Sequence, residues 1–292
     1  MISPYVRRRR LATELRALRE EAGLTHEQLA RRIGEARTKL SRLENGHIAP
    51  DQNDIIKILD VLEVDGDRWT QIVTIAQEAA AKGWWESDLK SIGERQALYA
   101  NLEAGAVSIC EYQQAYLPGL LQTPEYTMAT VTALLTLRPG RLDARGIVAG
   151  RAGRQRMLRR PGGPTYEVII DELAVRRPGA PAVVTRAQLL HLAERAAEAP
   201  RISIRVLPIA APFSGYAVPG ASFSIYAYAD PGDPRVVAIE TVDPDLVLTE
   251  PDQVKPYEDQ YRRLRDAALP EEDSAALLAK AAKELPDDTE EP

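Results

Sequence analysis

"THEQLARRIGEARTKLSRLENG", residues 25–46, decides how the first part of the chain folds. Thr25 followed three residues later by Gln28 has the spacing of a capping box, so a helix starts here. Leu29, Ala30 and Ile33 give that helix one apolar face, and Gly34 stops it. A second helix follows over Glu35–Glu44 and ends at Asn45–Gly46. Its Leu40 and Leu43 face inward, which leaves Arg37, Thr38, Ser41 and Arg42 on the outer face. Ala30 falls where the two helices cross, and a large side chain there would separate them. Two short helices joined by a tight turn make a helix-turn-helix pattern. Polar residues at the start of the second helix can reach base edges in a major groove about 12 Å wide. Arginine pairs bidentately with guanine, and threonine can meet a thymine methyl. A single amphipathic helix would read as a solvated surface. Here the cap, the small crossing residue, the glycine turn and the outward arginines come in the order the motif needs.

Further helices flank this unit. Leu11, Leu15 and Leu18 recur at helical spacing before Gly23. Pro50 and Asp51 open a fourth helix, with Ile55, Ile56, Leu59 and Leu62 expected inward. A fifth, from about Asp67 to Ala81, carries Trp69, Ile72, Val73 and Ala76. Residues 1–81 therefore read as an all-α module of five helices.

At this point a resemblance enters. "LRALREEAGLTHEQLARRIGEARTKLSRLENGHIAP" (residues 15–50) resembles the Cro/phage-repressor-like (XRE) DNA-binding domain, over residues 8–80 or so. By position, the resemblance implies that Arg37, Thr38 and Arg42 contact bases and that His26 and Asn45 contact phosphates. It also implies that Arg19 and Glu44 form a salt bridge bracing the first helix against the third. Ser41 is added to the base-contacting set, and Arg8, Arg9 and Lys39 to the phosphate contacts. One departure stands out: the recognition helix of such domains usually opens with Ser or Thr, whereas this chain has Ala36, preceded by the acidic Glu35. The run Arg7–Arg10 opposes the macrodipole if it opens a helix. It therefore reads either as an arm on phosphates or as a solvated, disordered terminus.

From about Ser108 the pattern changes. "VSICEY" (107–112), "YEVIIDEL" (166–173), "ISIRVLP" (202–208), "ASFSIYAYA" (221–229) and "RVVAIET" (235–241) are short β-branched or alternating runs, expected as strands. Helical stretches are expected at about 123–136, 141–160, 185–199, 250–269 and 271–285. The expectation is a multidomain chain: the five-helix module, a linker over 82–105, and an α+β domain over 106–285 with a mixed sheet of about five strands. An acidic, disordered tail is expected over 286–292. In order, "YLPGLLQTPEY" (116–126), "RAGRQRML" (151–158), "VVTRAQLLHLAE" (183–194), "RISIRVLP" (201–208) and "SFSIYAY" (222–228) resemble a C-terminal domain of actinobacterial antitoxin-like transcriptional regulators. That resemblance implies a regulatory, dimerising or partner-binding role, often with a small partner protein.

Two features stay open. Arg141, Arg145, Arg151, Arg154, Arg156, Arg159 and Arg160, interleaved with Gly146, Gly150 and Gly153, read as a site for an anion or acidic partner. The reading preferred on physical grounds is a helix packed at its glycines with arginines paired to acidic neighbours, because charge runs usually mark solvated faces. Trp84 and Trp85 read as interface anchors or as core.

Composition narrows the function. The net charge of −6 divides unevenly: residues 1–60 carry about +3 and the rest −9, so the anionic partner belongs to the first module. One cysteine, Cys110, excludes an internal disulfide framework. No secretory h-region follows the first arginines and no membrane-length apolar run occurs, so a cytoplasmic protein is expected. His26, His47 and His191 lie apart, "GRAGRQ" lacks dinucleotide-loop spacing, and the strand-end acids Asp171, Glu172 and Glu240 have no accompanying nucleophile. No catalysis, cofactor or metal is expected. The sequence points to a sequence-specific transcriptional regulator, expected as a homodimer on a pseudo-palindromic operator in double-stranded DNA, whose α+β domain dimerises, senses a ligand or binds a partner. The alternative is an antitoxin-like interaction module that binds a small partner and uses DNA for autoregulation.

Overall fold

The computed structural model describes residues 2–137, 143–198, 200–212, 219–242 and 244–286. Arg141 and the tail from 287 onward, both singled out above, lie outside the described residues.

Five helices open the chain: α1 (Pro4–Glu21), α2 (His26–Ile33), α3 (Arg37–Leu43), α4 (Gln52–Val61) and α5 (Gly66–Ala80). Each boundary has a local cause. Ser3 caps α1, accepting from the Val6 amide, and Pro4 fits the first turn, where no amide partner is needed. Both halves of the Thr25–Gln28 capping box are formed, and Gly34 ends α2 at φ 71, a left-handed conformation that favours glycine. Asp51 caps α4 by accepting from the amides of Asn53 and Asp54. Leu11, Leu15, Leu18, Leu29, Ala30, Ile33, Leu40, Leu43, Ile55, Leu59 and Ile72 make one core. Ile58 is buried in α4, whereas Ile56, expected inward, is only half-buried. Helical spacing lets 55, 58, 59 and 62 share a face, and 56 falls to its side.

The stretch 82–105, expected as a linker, holds α6 (Trp84–Ser87) and α7 (Leu89–Glu103). Trp85 is buried with Ile92, Ala97, Ala100 and Ala104, and Trp84 packs beside them. Tyr99 and Leu102 of α7 belong to the core of the second module. So does Val6, in the first turn of α1. Asn101 Oδ1 accepts from Ser3 Oγ at 3.1 Å and from the Tyr5 amide at 3.0 Å. Helix α1 therefore roots in one core and runs through the other.

Among the described residues the second module is built on a six-stranded mixed sheet, one strand more than expected. Its strands are β1 (Ala106–Gln113), β2 (Thr165–Asp171), β3 (Ile202–Leu207), β4 (Phe223–Tyr228), β5 (Val236–Ile239) and β6 (Leu246–Leu248), in the order β3-β2-β1-β4-β5-β6. β1, β2 and β3 are parallel, and β4, β5 and β6 join antiparallel. Three-residue β6 is too short to show alternation in the sequence. The crossovers carry α8 (Pro124–Leu137) and α9 (Ala144–Arg159), then α10 (Glu172–Arg176) and α11 (Ala182–Glu198). Two helices close the described chain, α12 (Pro251–Ala267) and α13 (Glu271–Glu284). One sheet face packs Tyr112, Ile169, Phe223 and Val237 against Val254, Tyr261 and Leu264 of α12. The other carries Ile109, Tyr166, Val168, Ile204 and Tyr226 into the core that holds Leu189 and Leu192 of α11 and Leu278 of α13.

In α9 the glycines do pack. A Cβ on Gly146 would stand 2.3 Å from the Ser91 carbonyl oxygen, and one on Gly150 would stand 2.8 Å from Ile92 Cγ2. Only small residues let α9 lie this close to α7. Arg151 and Arg154 turn inward, whereas Arg145, Arg156 and Arg159 are exposed.

Candidate nucleic-acid interface

Helix α3 is held at one end and open at the other. Its first residue follows Ala36, which offers no side-chain cap, so the start of the helix faces outward bare. Its far end is tied to α1. Arg16 donates to the Glu44 carbonyl at 2.8 Å and to Asn45 Oδ1 at 3.1 Å, and Arg9 donates to the Asn45 carbonyl at 2.8 Å. Cations at a helix C-terminus suit its macrodipole.

Beneath this lies the brace. Arg19 Nε donates to both carboxylate oxygens of Glu44 at 2.9 Å, and Arg19 NH1 donates to the Leu24 carbonyl at 2.8 Å. Glu44 is fully buried, and its carboxylate raises the proton affinity of Arg19 above the ordinary arginine range. A buried pair of this kind fixes geometry, because desolvation offsets much of its attraction.

On that frame Arg37, Thr38 and Arg42 are exposed and Ser41 is half-buried. Among the described residues, none of the Arg37, Thr38 and Arg42 side chains has a hydrogen-bond or ion-pair partner. Glu35 turns aside and pairs with Lys39 at 3.1 Å.

The expected phosphate contacts fare differently. Lys39 Nζ stands 2.6 Å from Asp54 Oδ2 as well as against Glu35, so an internal pair holds it. His26 Nε2 lies 3.1 Å from Glu44 Oε2 with a third of the ring exposed, which places it on the brace as well as at the surface. Asn45 Nδ2 donates to the Ser41 carbonyl at 2.6 Å.

The run Arg7–Arg10 is neither an arm nor a disordered terminus. The Ser3 cap starts α1 early enough to enclose it, and four consecutive helical residues point to all sides of the axis. Arg8 Nε donates to the Ala79 carbonyl at the end of α5 at 2.8 Å, and Arg9 reaches the end of α3. Arg7 and Arg10, three apart and on one side, both meet Asp230 and Asp233 in the turn between β4 and β5. Arg7 also faces Glu78 of α5 at 2.9 Å. The hydrogen bond from the Gly232 amide, followed by those from Arg10 and Arg7, holds Asp230 down at about 2. Arg8 and Arg9 thus serve internal partners. Asp230, Asp233 and Arg16, which the sequence reading passed over, complete the frame. No local signal marks them, because Arg10 and Asp230 are 220 residues apart.

Among the described residues, no helix is long and apolar enough to cross a membrane, and no group of three or more His, Cys, Asp or Glu is placed to hold a metal ion.

Comparison with known families agrees with this division. Residues 10–69 match the model described as a helix-turn-helix domain, so the first module is a DNA-binding domain and the chain a helix-turn-helix regulator. Residues 96–280 match the model described as "Domain of unknown function (DUF5753)", and the chain belongs to that family. This second match begins inside α7. No curated protein and no solved structure matches the chain.

Proposed function

We propose that the chain is an XRE-type, sequence-specific transcriptional regulator whose helix α3 enters the major groove of an operator. One observation carries the reading: on a helix otherwise locked in place, the Arg37, Thr38 and Arg42 side chains have no partner among the described residues. Arg37 reads a guanine edge, Arg42 and Thr38 read neighbouring bases, and Ser41 sits at the margin of the face. Asn45 and His26 supply phosphate contacts from either end of the unit.

The test is selection of bound fragments from genomic DNA, followed by titration of Arg37→Ala on the selected operator. We expect a loss of about 1–3 kcal/mol and relaxed preference at one base pair, with the unfolding temperature unchanged. Unchanged affinity and base preference would sink the assignment.

The second module pairs two copies, giving a two-fold operator. Val183 and Leu190, two turns apart on one side of α11, are 50% and 40% exposed, and Leu134 of the neighbouring α8 is 49% exposed. These exposed apolar side chains favour a protein contact. A second reading places a small antitoxin-type partner on the same residues. Native mass spectrometry separates them: a homodimer supports the first, and a stoichiometric foreign subunit that survives nuclease supports the second.

The chain reads as non-enzymatic. Asp171 caps α10 through the Leu173 amide, Glu172 pairs with Arg176, and Glu240 accepts from Gln113, so each strand-end acid has a structural task.

A further inference from the structure

A cleft of about 900 Å³ lies between the two modules. One wall is α1, with Arg9, Thr13 and Arg16, and it is closed by Asn45 at the end of α3. The other wall is the turn between β4 and β5 together with the start of α12, with Gly232, Glu250 and Asp252. The volume falls in the range of small-molecule sites, about 300–1,000 Å³. The walls are fixed relative to each other. Arg7 and Arg10 of α1 meet Asp233, whose side chain is 5% exposed, at 3.0 and 3.5 Å. A Cβ on Gly232 would stand 2.6 Å from Arg10 Cζ, so the lack of a side chain lets the turn lie this close to α1. The cleft is therefore formed before anything enters it.

Its charges are sorted by side. Several are neutralised: Glu44 pairs with Arg19, Asp233 with Arg10, Arg235 with Glu258 and Lys255 with Asp259. The rest are not. Arg9 and Arg16 lie two turns apart on the side of α1 that faces α3. They donate only to neutral oxygens: the Tyr5 hydroxyl, the Asn45 and Glu44 carbonyls and Asn45 Oδ1. Glu14, one turn after Arg10, falls on the side of the β4–β5 turn. Glu250 precedes α12 without capping it, and Asp252 is in its first turn. Among the described residues, the Glu14, Glu250 and Asp252 carboxylates have no hydrogen-bond or ion-pair partner. Uncompensated cations thus line the α3 side of the cleft and uncompensated carboxylates the side of the second module. A polyanion would meet the three carboxylates, and a polycation the two arginines. A molecule with opposite charges at its two ends meets neither penalty. No aromatic ring lines the cleft among the described residues, so a planar base finds no platform to stack on.

We propose that this cleft binds a short peptide as its zwitterion, with the terminal carboxylate on Arg9 and Arg16 and the terminal ammonium among Glu14, Glu250 and Asp252. Guanidinium groups take a carboxylate through paired hydrogen bonds. A compact space of this volume is about 10 Å across, and extended backbone covers about 3.3–3.6 Å per residue, so about three residues bridge it. Ala12, Pro231, Pro234 and Val254 give the peptide's side chains an apolar lining. The site acts on α3. Arg9 and Arg16 hold the end of that helix by the Asn45 and Glu44 carbonyls, and a bound carboxylate competes for both arginines. Bound peptide therefore lowers operator affinity, and bound operator lowers peptide affinity by the same factor. This regulatory step rests on the DNA-binding reading proposed above, whereas peptide binding itself does not.

Calorimetric titration of the full chain with trialanine tests the site, with N-acetyl-trialanine, trialanine amide, alanine and inorganic phosphate as comparators. Saturable binding of trialanine is expected. Blocking either end should weaken it by about tenfold or more, and so should shortening to alanine, which cannot reach both walls. Arg16→Gln should weaken trialanine by about tenfold and erase its advantage over the amide. Glu250→Gln with Asp252→Asn should shrink its advantage over the acetylated peptide. All three residues are exposed, so these variants keep the fold. Saturating trialanine should weaken operator binding by about fivefold or more. No saturable binding of trialanine, blocked peptides or phosphate binding as tightly, or variants that keep both preferences would overturn the site. Operator affinity unchanged by saturating peptide would overturn the coupling. A chain that binds the peptide but selects no operator would sink the DNA reading and leave the site standing.

Discussion

Helices α1 and α3 both carry arginines, and they use them in opposite ways. In α1 four arginines are consecutive, so they project around the whole helix and must meet whatever packs on each side. Each of the four reaches a partner within the molecule. In α3, Arg37 and Arg42 lie away from Leu40 and Leu43, so burying the leucines turns both arginines outward, without partners among the described residues. The number of positive charges does not separate a binding face from a structural hub; their angular spread around the helix does.

The comparison can be broken most forcefully at the brace both helices share. Glu44→Ala leaves Arg19 buried without its carboxylate, and we expect a loss of about 3–5 kcal/mol in chemical denaturation, with operator binding lost alongside. A stable, fully binding variant would show that α3 needs no anchor.

Next in size is a response to pH that belongs to the inward-facing groups alone. The Glu111 carboxyl is raised from the ordinary 4.5 to about 7, chiefly by burial. The folded state then holds a proton that the unfolded chain releases, so the contribution of this group to stability is fully present below about 4.5 and is lost as pH rises through about 7. The decline amounts to roughly 3 kcal/mol and should vanish in Glu111→Gln. Denaturation midpoints across that range, compared between the two proteins, measure it. Parallel curves would mean that Glu111 is not responsible.

Arg9→Ala, set beside Arg37→Ala, divides the two helices directly. Arg9 holds the end of α3, so its loss should lower stability by about 1 kcal/mol and leave the salt dependence of operator affinity unchanged. A drop of about one in the logarithmic salt slope would instead place Arg9 on a phosphate. The smallest effect is a gain: Ala36→Ser supplies the missing cap, and thermal melting should show about 0.5–1 kcal/mol of added stability.

Much of the first module was legible because its boundaries are local events. Thr25, Gln28 and Gly34 mark α2 by chemistry acting within one turn, and Arg37, Thr38 and Arg42 follow from which side the leucines take. Partner choice was not legible. Lys39 and Arg9 look as free as Arg37 in the sequence, and only packing brings Asp54 to the first and the Asn45 carbonyl to the second. The start of α1 was misread for the same reason, since its acids, Asp230 and Asp233, lie at the other end of the chain. Strand β6 is too brief for its pattern to register. The inward-facing Arg151 and Arg154 were visible only as part of a run of arginines and glycines. Which arginines turn inward depends on how closely α9 approaches α7.

Helix α1 seats Val6 in one core and Leu11, Leu15 and Leu18 in the other, with no hinge between them. On the proposed function it would act as an axle: a rotation of the second module would carry helix α3 with it. Two copies coupled through their second modules would hold their reading heads at a fixed separation, as a caliper does, and an operator lengthened by a single base pair would present its second half at the wrong angle.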